Sequence, residues 1–192
     1  MSISLQKGQK VDLTKTNEGL TKIQVGLGWD TNKFGDGKFD LDSSVFLLGA
    51  GDKVTSDKDL VFFGNLKSCS GAVTHQGDNL TGEGDGDDEK INVDLSLVPT
   101  DIQKIAFVVN IYDAVKRKQN FGMVSNAFIR LVDEATGTEI MKYDLGEDFS
   151  TETVVIIGEL YKKDGEWKFT ATGTGLAGGF TALCEAYGVS AN

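Results

Sequence analysis

The stretch Gly77-Asp-Asn-Leu-Thr-Gly-Glu-Gly-Asp-Gly-Asp-Asp-Glu89 gathers oxygen donors more densely than any other part of the chain. Asp78, Asn79, Asp85, Asp87, Asp88 and Glu89 stand among glycines at 77, 82, 84 and 86, and no basic residue interrupts them. If the backbone is extended from Asp85 onward, Asp85, Asp87 and Glu89 point to one side, while the glycines let carbonyls curl inward. Calcium takes six to eight oxygens of that mixture. Without a cation, carboxylates held this close repel one another and raise each other's pKa values. An acidic run is ordinarily an exposed, solvated loop. The glycine spacing, the Asp-Asn pair and a second acidic group favour a metal site instead.

That second group lies in Trp29-Asp-Thr-Asn-Lys-Phe-Gly-Asp-Gly-Lys-Phe-Asp-Leu-Asp-Ser-Ser44. In a strand, Phe39 and Leu41 face the core, so Asp40 and Asp42 share the opposite, solvent-side face and invite a shared cation. Asp30 and Asp36 are further donors, although Asp30 would equally cap the turn after Trp29 and Asp36-Gly37 would equally form a turn. The segment is not an EF-hand. Asp30, Asn32 and Gly35 fit its first, third and sixth positions, but Leu41 sits where the bidentate glutamate belongs, and the flanks read as strands. The expected site is of a loop-and-strand kind, holding more than one calcium ion.

Other chemistries have less support. Clustered carboxylates also hold magnesium for phosphoryl transfer, so a metal-dependent phosphate enzyme is an alternative. However, His75 is the only histidine and reads as an ordinary surface residue, and the chain has neither a G-x-S-x-G elbow nor a Gly-Lys-Ser/Thr phosphate loop. Cys69 and Cys184 are isolated, which predicts reduced structural thiols, not a disulfide or zinc site. A formal net charge of -10 disfavours nucleic acid and direct capture of oxyanions. The N-terminus lacks a signal-peptide pattern and no apolar run is long enough to span a bilayer, so the reading is cytoplasmic, without membrane insertion. A calcium-dependent membrane module is a second alternative. The short basic cluster Lys116-Arg-Lys118 reads as a solvated loop after Tyr112. Trp29 and Trp167 would suit a carbohydrate site, but both fall in registers that favour core packing.

The elements that must position these donors are strands. The chain has 192 residues, 24 glycines and one proline, which suits a single domain (1–192) of strands joined by tight turns. Ile23, Val25, Leu27 and Trp29 alternate with other residues, as do Ile105, Phe107, Val109 and Ile111, the period of a strand with one buried face. Further strands are predicted at 45–48, 60–63, 128–132, 140–143, 153–161 and 167–172. Hairpin turns are predicted at Ala135-Thr-Gly-Thr138 and Lys163-Asp-Gly-Glu166. One helical turn is predicted at Pro99–Gln103, and a C-terminal helix within Leu176–Tyr187 that closes at Gly188. The fold class is therefore all-β: an antiparallel β-sandwich of two sheets with a few short peripheral helices.

Six segments carry a resemblance to a known family: Gly26-Leu-Gly-Trp-Asp30, Phe39-Asp-Leu-Asp-Ser-Ser-Val45, Val61-Phe-Phe-Gly-Asn65, Gly77-Asp-Asn-Leu-Thr-Gly82, Gly84-Asp-Gly-Asp-Asp-Glu89 and Val109-Asn-Ile-Tyr112. Together they resemble the TerD family, the tellurite-resistance and general stress proteins of bacteria. The resemblance covers nearly the whole chain. It implies a β-sandwich that binds calcium through Asp78, Asn79, Asp85, Asp87, Asp88 and Glu89, with Asp30, Asp40 and Asp42 beside them. It also implies a non-enzymatic, cytoplasmic stress-response role as a calcium-dependent scaffold or signalling component. The partners implied are other Ter proteins, including a membrane partner that would place the chain at the inner membrane periphery.

Overall fold

The structure is a computed structural model, and it describes residues 2–30, 39–77, 86–145, 149, 151–176 and 178–189. In chain order the strands are β1 (Ile3–Leu5), β2 (Lys10–Asp12), β3 (Lys22–Asp30), β4 (Leu41–Leu48), β5 (Leu60–Val61), β6 (Val73–His75), β7 (Glu89–Asp94), β8 (Lys104–Ile111), β9 (Ser125–Asp133), β10 (Glu139–Asp144), β11 (Val154–Lys163) and β12 (Glu166–Leu176). The helices are α1 (Ala114–Arg117) and α2 (Gly179–Tyr187). One sheet has the order β1-β10-β9-β3-β7-β6 and the other β2-β12-β11-β8-β4-β5.

The alternating residues behave as their period requires. Ile23, Val25, Leu27 and Trp29 of β3 face Leu41, Val45 and Leu47 of β4 and Ile105, Phe107 and Val109 of β8 in one core between the sheets. The second sheet is also covered from outside. There Phe46, Leu48, Leu60, Ala106, Val108, Val154 and Ile156 meet Leu183, Cys184 and Val189. Phe46 packs edge-on against Tyr187, with ring centroids 5.0 Å apart. Every residue of β4 is consequently buried. Gly188 closes α2 in the left-handed region, φ 81°, and its N–H reaches the carbonyls of Cys184 and Glu185.

The two predicted hairpins are present. Asp164 and Gly165 both have positive φ in the β11–β12 turn, as a two-residue Asp-Gly loop requires. The structure departs from the sequence reading in several places, among them the short strands β1, β2 and β6, which the pattern did not predict. β1 pairs with β10 in parallel, so the sandwich is antiparallel in every other pairing among the described residues. Pro99–Gln103 makes a turn without a helix, whereas a 3₁₀ turn forms just before it at Leu95–Leu97, where Asp94 accepts the Ser96 N–H. Ala114–Arg117 closes into one helical turn where a plain loop was expected. The strand β7 was not anticipated, because its inward face begins with Glu89, ahead of Ile91 and Val93.

The outer cluster makes a direct test of what α2 contributes. Leu183→Ala should cost about 2–5 kcal/mol in urea denaturation, the range for truncating a buried leucine. Val115→Ala, at a side chain 89% exposed, should stay within about 0.5 kcal/mol of the parent.

Candidate functional site

The site forms where β3, β4 and β7 meet at one end of the sandwich. Residues of β3 and β7 pair from Lys22↔Asp94 to Leu27↔Glu89, and the ladder stops there. Asp88 continues it. Its N–H donates to the Leu27 carbonyl at 2.7 Å, and its Oδ2 accepts the N–H of Trp29 at 2.8 Å. A side-chain carboxylate thus replaces the next rung, which holds Asp88 against the end of β3. Burial raises the Asp88 pKa, and the charges of Asp87, Glu89 and Asp30 raise it further.

Asp87 points the other way, across the outer face of β3. A β-carbon added to Gly26 would lie 2.3 Å from the Asp87 carboxylate, so glycine at 26 makes room for the acid. There Asp87 accepts both forks of Arg130, from Nε at 2.7 Å and Nη2 at 2.9 Å, with its own side chain almost fully buried. Arg130 lies opposite Gly26 in the β3–β9 register and also reaches Glu139 at 3.2 Å. These carboxylates raise its pKa. Asp87 therefore already has a cation, supplied by the chain.

Glu89 faces the interior. β5 pairs only with Val45 and Phe46 of β4, so farther toward Leu41 that edge of β4 has no strand beside it among the described residues. Glu89 Oε2 takes the Ser43 N–H at 2.9 Å. Ser43 Oγ lies 2.8 Å from His75 Nε2, and His75 Nδ1 accepts the Gly77 N–H at 3.1 Å. The Nδ1 acceptor role places the ring proton on Nε2. His75 is buried, contrary to the surface position expected for it, because it follows Val73 on the inward face of β6. The serine, histidine and glutamate are types used by hydrolases, but the geometry differs. Glu89 lies 3.5 Å from the same nitrogen that faces Ser43, and that nitrogen carries a proton, so it cannot accept one from the serine.

Asp40 and Asp42 do share one side of the chain, that of Phe46 and Leu48, but it is not a solvent face: both are buried. The connection after β8 covers them, with the Tyr112 N–H donating to the Asp40 carbonyl at 2.8 Å. Arg117 Nη2 approaches Asp40 Oδ2 at 3.8 Å, while Oδ1 is buried with no hydrogen-bond partner among the described residues. Burial raises the Asp40 pKa, Arg117 opposes this, and Glu89 adds to it. Asp42 Oδ2 lies 3.5 Å from Asn110 Nδ2. Asp30 is exposed, with the amide of Asn126 donating to it at 2.5 Å. Asp36, Asp78, Asn79 and Asp85 lie outside the described residues. Among the described residues, no three Asp, Glu, His or Cys side chains converge as a set able to hold a metal.

The chain matches the TerD domain over residues 1–187. It belongs to the TerD family. It is 59% identical to general stress protein 16U of Bacillus subtilis (strain 168) over 190 residues, covering 98% of both chains. It is 54% identical to tellurium resistance protein TerD of Alcaligenes sp over 192 residues, the full length of each. A solved structure of a homologue of telluride resistance protein (TerD) from Streptomyces coelicolor A3(2) has the same fold, with a TM-score of 0.71 at 20% identity, over 88% of this chain and 97% of that one. Membership in this tellurium-resistance and stress-response family agrees with the six motifs. Three of them build this end of the sandwich: Gly26 to Asp30 in β3, Phe39 to Val45 into β4, and, from the acidic motif, Asp87 to Glu89 at the start of β7.

The residues that sequence reasoning missed are the partners: Arg130, Arg117, Asn126, Asn110 and the buried His75. Each is remote in sequence from the acid it meets. Arg130 had one local signal, a charge amid the apolar run of β9.

Two substitutions separate the roles of adjacent aspartates. Asp87→Asn removes charge-assisted bonds to Arg130 and should cost about 1.5–3 kcal/mol in chelator-treated protein, read by urea denaturation. Asp88→Asn should do the reverse at neutral pH. The folded Asp88 carboxyl binds its proton more tightly than the unfolded one, whose ordinary pKa is 3.8, so its ionisation costs stability above the raised folded pKa. Calcium-free Asp88→Asn should therefore exceed the parent in stability at neutral pH. That margin should shrink as pH falls through the raised value toward 3.8, as measured by denaturation across pH.

Proposed function

We propose that this TerD-family chain binds calcium at the β3–β4–β7 end of the sandwich and acts, without catalysis of its own, as a calcium-dependent scaffold or signalling component of a cytoplasmic stress response. The observation that carries the reading is Asp40 Oδ1, a buried carboxylate oxygen without a hydrogen-bond partner among the described residues, in a group whose charge is already opposed by burial and by Glu89. A cation there would satisfy that oxygen and relieve the repulsion between Asp40 and Glu89. The donors are oxygens, which selects a hard ion, and the mixture with glycine-flanked carbonyls suits calcium better than the strict octahedron of magnesium.

In this reading Asp40 anchors the ion, and Asp88, Glu89, Asp30 and Asp42 stand around it without converging as a donor set by themselves. Asp78, Asn79 and Asp85, which lie outside the described residues, would complete a set holding more than one ion. Asp87 serves as an anchor to Arg130. An enzymatic role has weak support, since the buried Ser43–His75–Glu89 cluster is protonated at the wrong nitrogen for nucleophile activation. Among the described residues no helix is long and apolar enough to cross a membrane. Partners of the scaffold would be other Ter proteins, including a membrane partner that holds the chain at the inner membrane periphery.

Calcium titration by calorimetry and thermal melting tests the proposal. At a calcium concentration near a hundredfold over its dissociation constant, the fold should gain about 2.7 kcal/mol. Asp40→Asn should weaken binding about tenfold or more, a loss near 1.4 kcal/mol, whereas Asp164→Asn in the distant hairpin should leave it unchanged. A melting temperature indifferent to millimolar calcium, with no heat of binding, overturns the reading.

A further inference from the structure

The connection between β8 and β9 carries features that calcium binding alone does not use. Val115, on the single turn of α1, is 89% exposed, and Tyr112 and Met123 on the same connection are 47% and 43% exposed. Scattered exposed apolar residues need no explanation. Here they are interleaved with Lys116, Arg117 and Lys118, in a protein whose formal net charge is -10; Asp113, the only acid between Tyr112 and Met123, pairs with Lys116 at 3.5 Å on the exposed surface. Both residues bounding α1, Asp113 and Lys118, hold the left-handed region at φ 54°, uncommon for residues other than glycine.

The connection is also tied to the candidate calcium site. The Tyr112 N–H bonds to the Asp40 carbonyl, the Arg117 guanidinium lies 5.4 Å over the Tyr112 ring, and Nη2 of the same group is 3.8 Å from Asp40 Oδ2. Arg117 is thus the cation that faces Asp40. A calcium ion on Asp40 would take over that role and free a guanidinium beside Lys116 and Lys118. Freed guanidinium groups bind phosphate oxygens well, through paired N–H donors.

We propose that the Tyr112–Met123 connection is a docking tip for an anionic lipid surface, engaged when calcium occupies the neighbouring site. The control by calcium rests on the function proposed above. Charge complementarity favours lipid as the occupant: apolar side chains interleaved with lysines suit the headgroup boundary, and juxtaposed basic residues are drawn to anionic leaflets. A stable protein interface instead needs roughly 800 Å² on each partner and has few lysines at its centre. The tip lies on the surface of the headgroups and inserts no span.

The test uses the full chain and cosedimentation with phosphatidylcholine vesicles, with and without about one third phosphatidylserine, in calcium or in chelator. The parent should partition onto the anionic vesicles in calcium and stay in solution in chelator or with phosphatidylcholine alone. Val115→Asp, and separately the double change Lys116→Glu with Lys118→Glu, should each lower that partition by about tenfold or more while leaving the calorimetric calcium heat unchanged. Arg117→Gln should tighten calcium binding, because a competitor for Asp40 is gone, and still weaken the partition. Absence of partition in a protein that shows the calcium heat overturns this proposal alone and leaves the tip to a protein partner. Partition that ignores calcium, or that the tip variants do not change, overturns it as well. Absence of any calcium heat in the parent overturns the calcium site itself.

Discussion

Repulsion among carboxylates governs one end of this sandwich. Pairing β3 with β7 brings Asp87, Asp88 and Glu89 to the end of β3, where Asp30 already stands, and the residue just before β4, Asp40, is close enough for Glu89 to disfavour its charge. Negative charges confined where water is scarce cannot all remain without compensation. The arrangement of this end follows from how each one is compensated.

The compensation differs for each acid. Asp87 is neutralised by the fork of Arg130, which requires glycine at position 26, because any side chain there would occupy the space of the carboxylate. Asp88 accepts a backbone N–H at the frayed end of a ladder, and Glu89 does the same at a strand edge that β5 is too short to cover. Asp40 is the least provided for, with Arg117 at a distance and one oxygen unsatisfied among the described residues. Under the proposed function a calcium ion is its remaining partner, and exchange of Asp40 between that ion and Arg117 is what would link site and surface.

The burial of His75 and Ser43 between the sheets bears on what this end does not do. The imidazole has both nitrogens engaged, one by the Gly77 N–H and one by Ser43, so it braces the start of the acidic stretch against β4. Bracing of that kind suits a binding site whose donors must be held in place, and with its proton on Nε2 the imidazole cannot take one from Ser43.

Alternation along β3 and β8, the Asp-Gly turn at 164–165 and the glycine-closed helix at the C-terminus were legible in the sequence because each depends on neighbours a few residues away. The types of the site acids, and their membership in a family with these motifs, were legible for the same reason. The sequence by itself also determined that Asp40 and Asp42 share a face, since a strand's period is local. Which faces are buried was not local. β4 is covered outside by α2 and the β8–β9 connection, so its aspartates are interior instead of solvent-facing, and β6 turns the lone histidine inward. Likewise only tertiary structure decided that Asp87 belongs to Arg130 and Asp40 to Arg117. Those pairings join residues far apart in the chain, and sheet register, not sequence spacing, sets the distance between them.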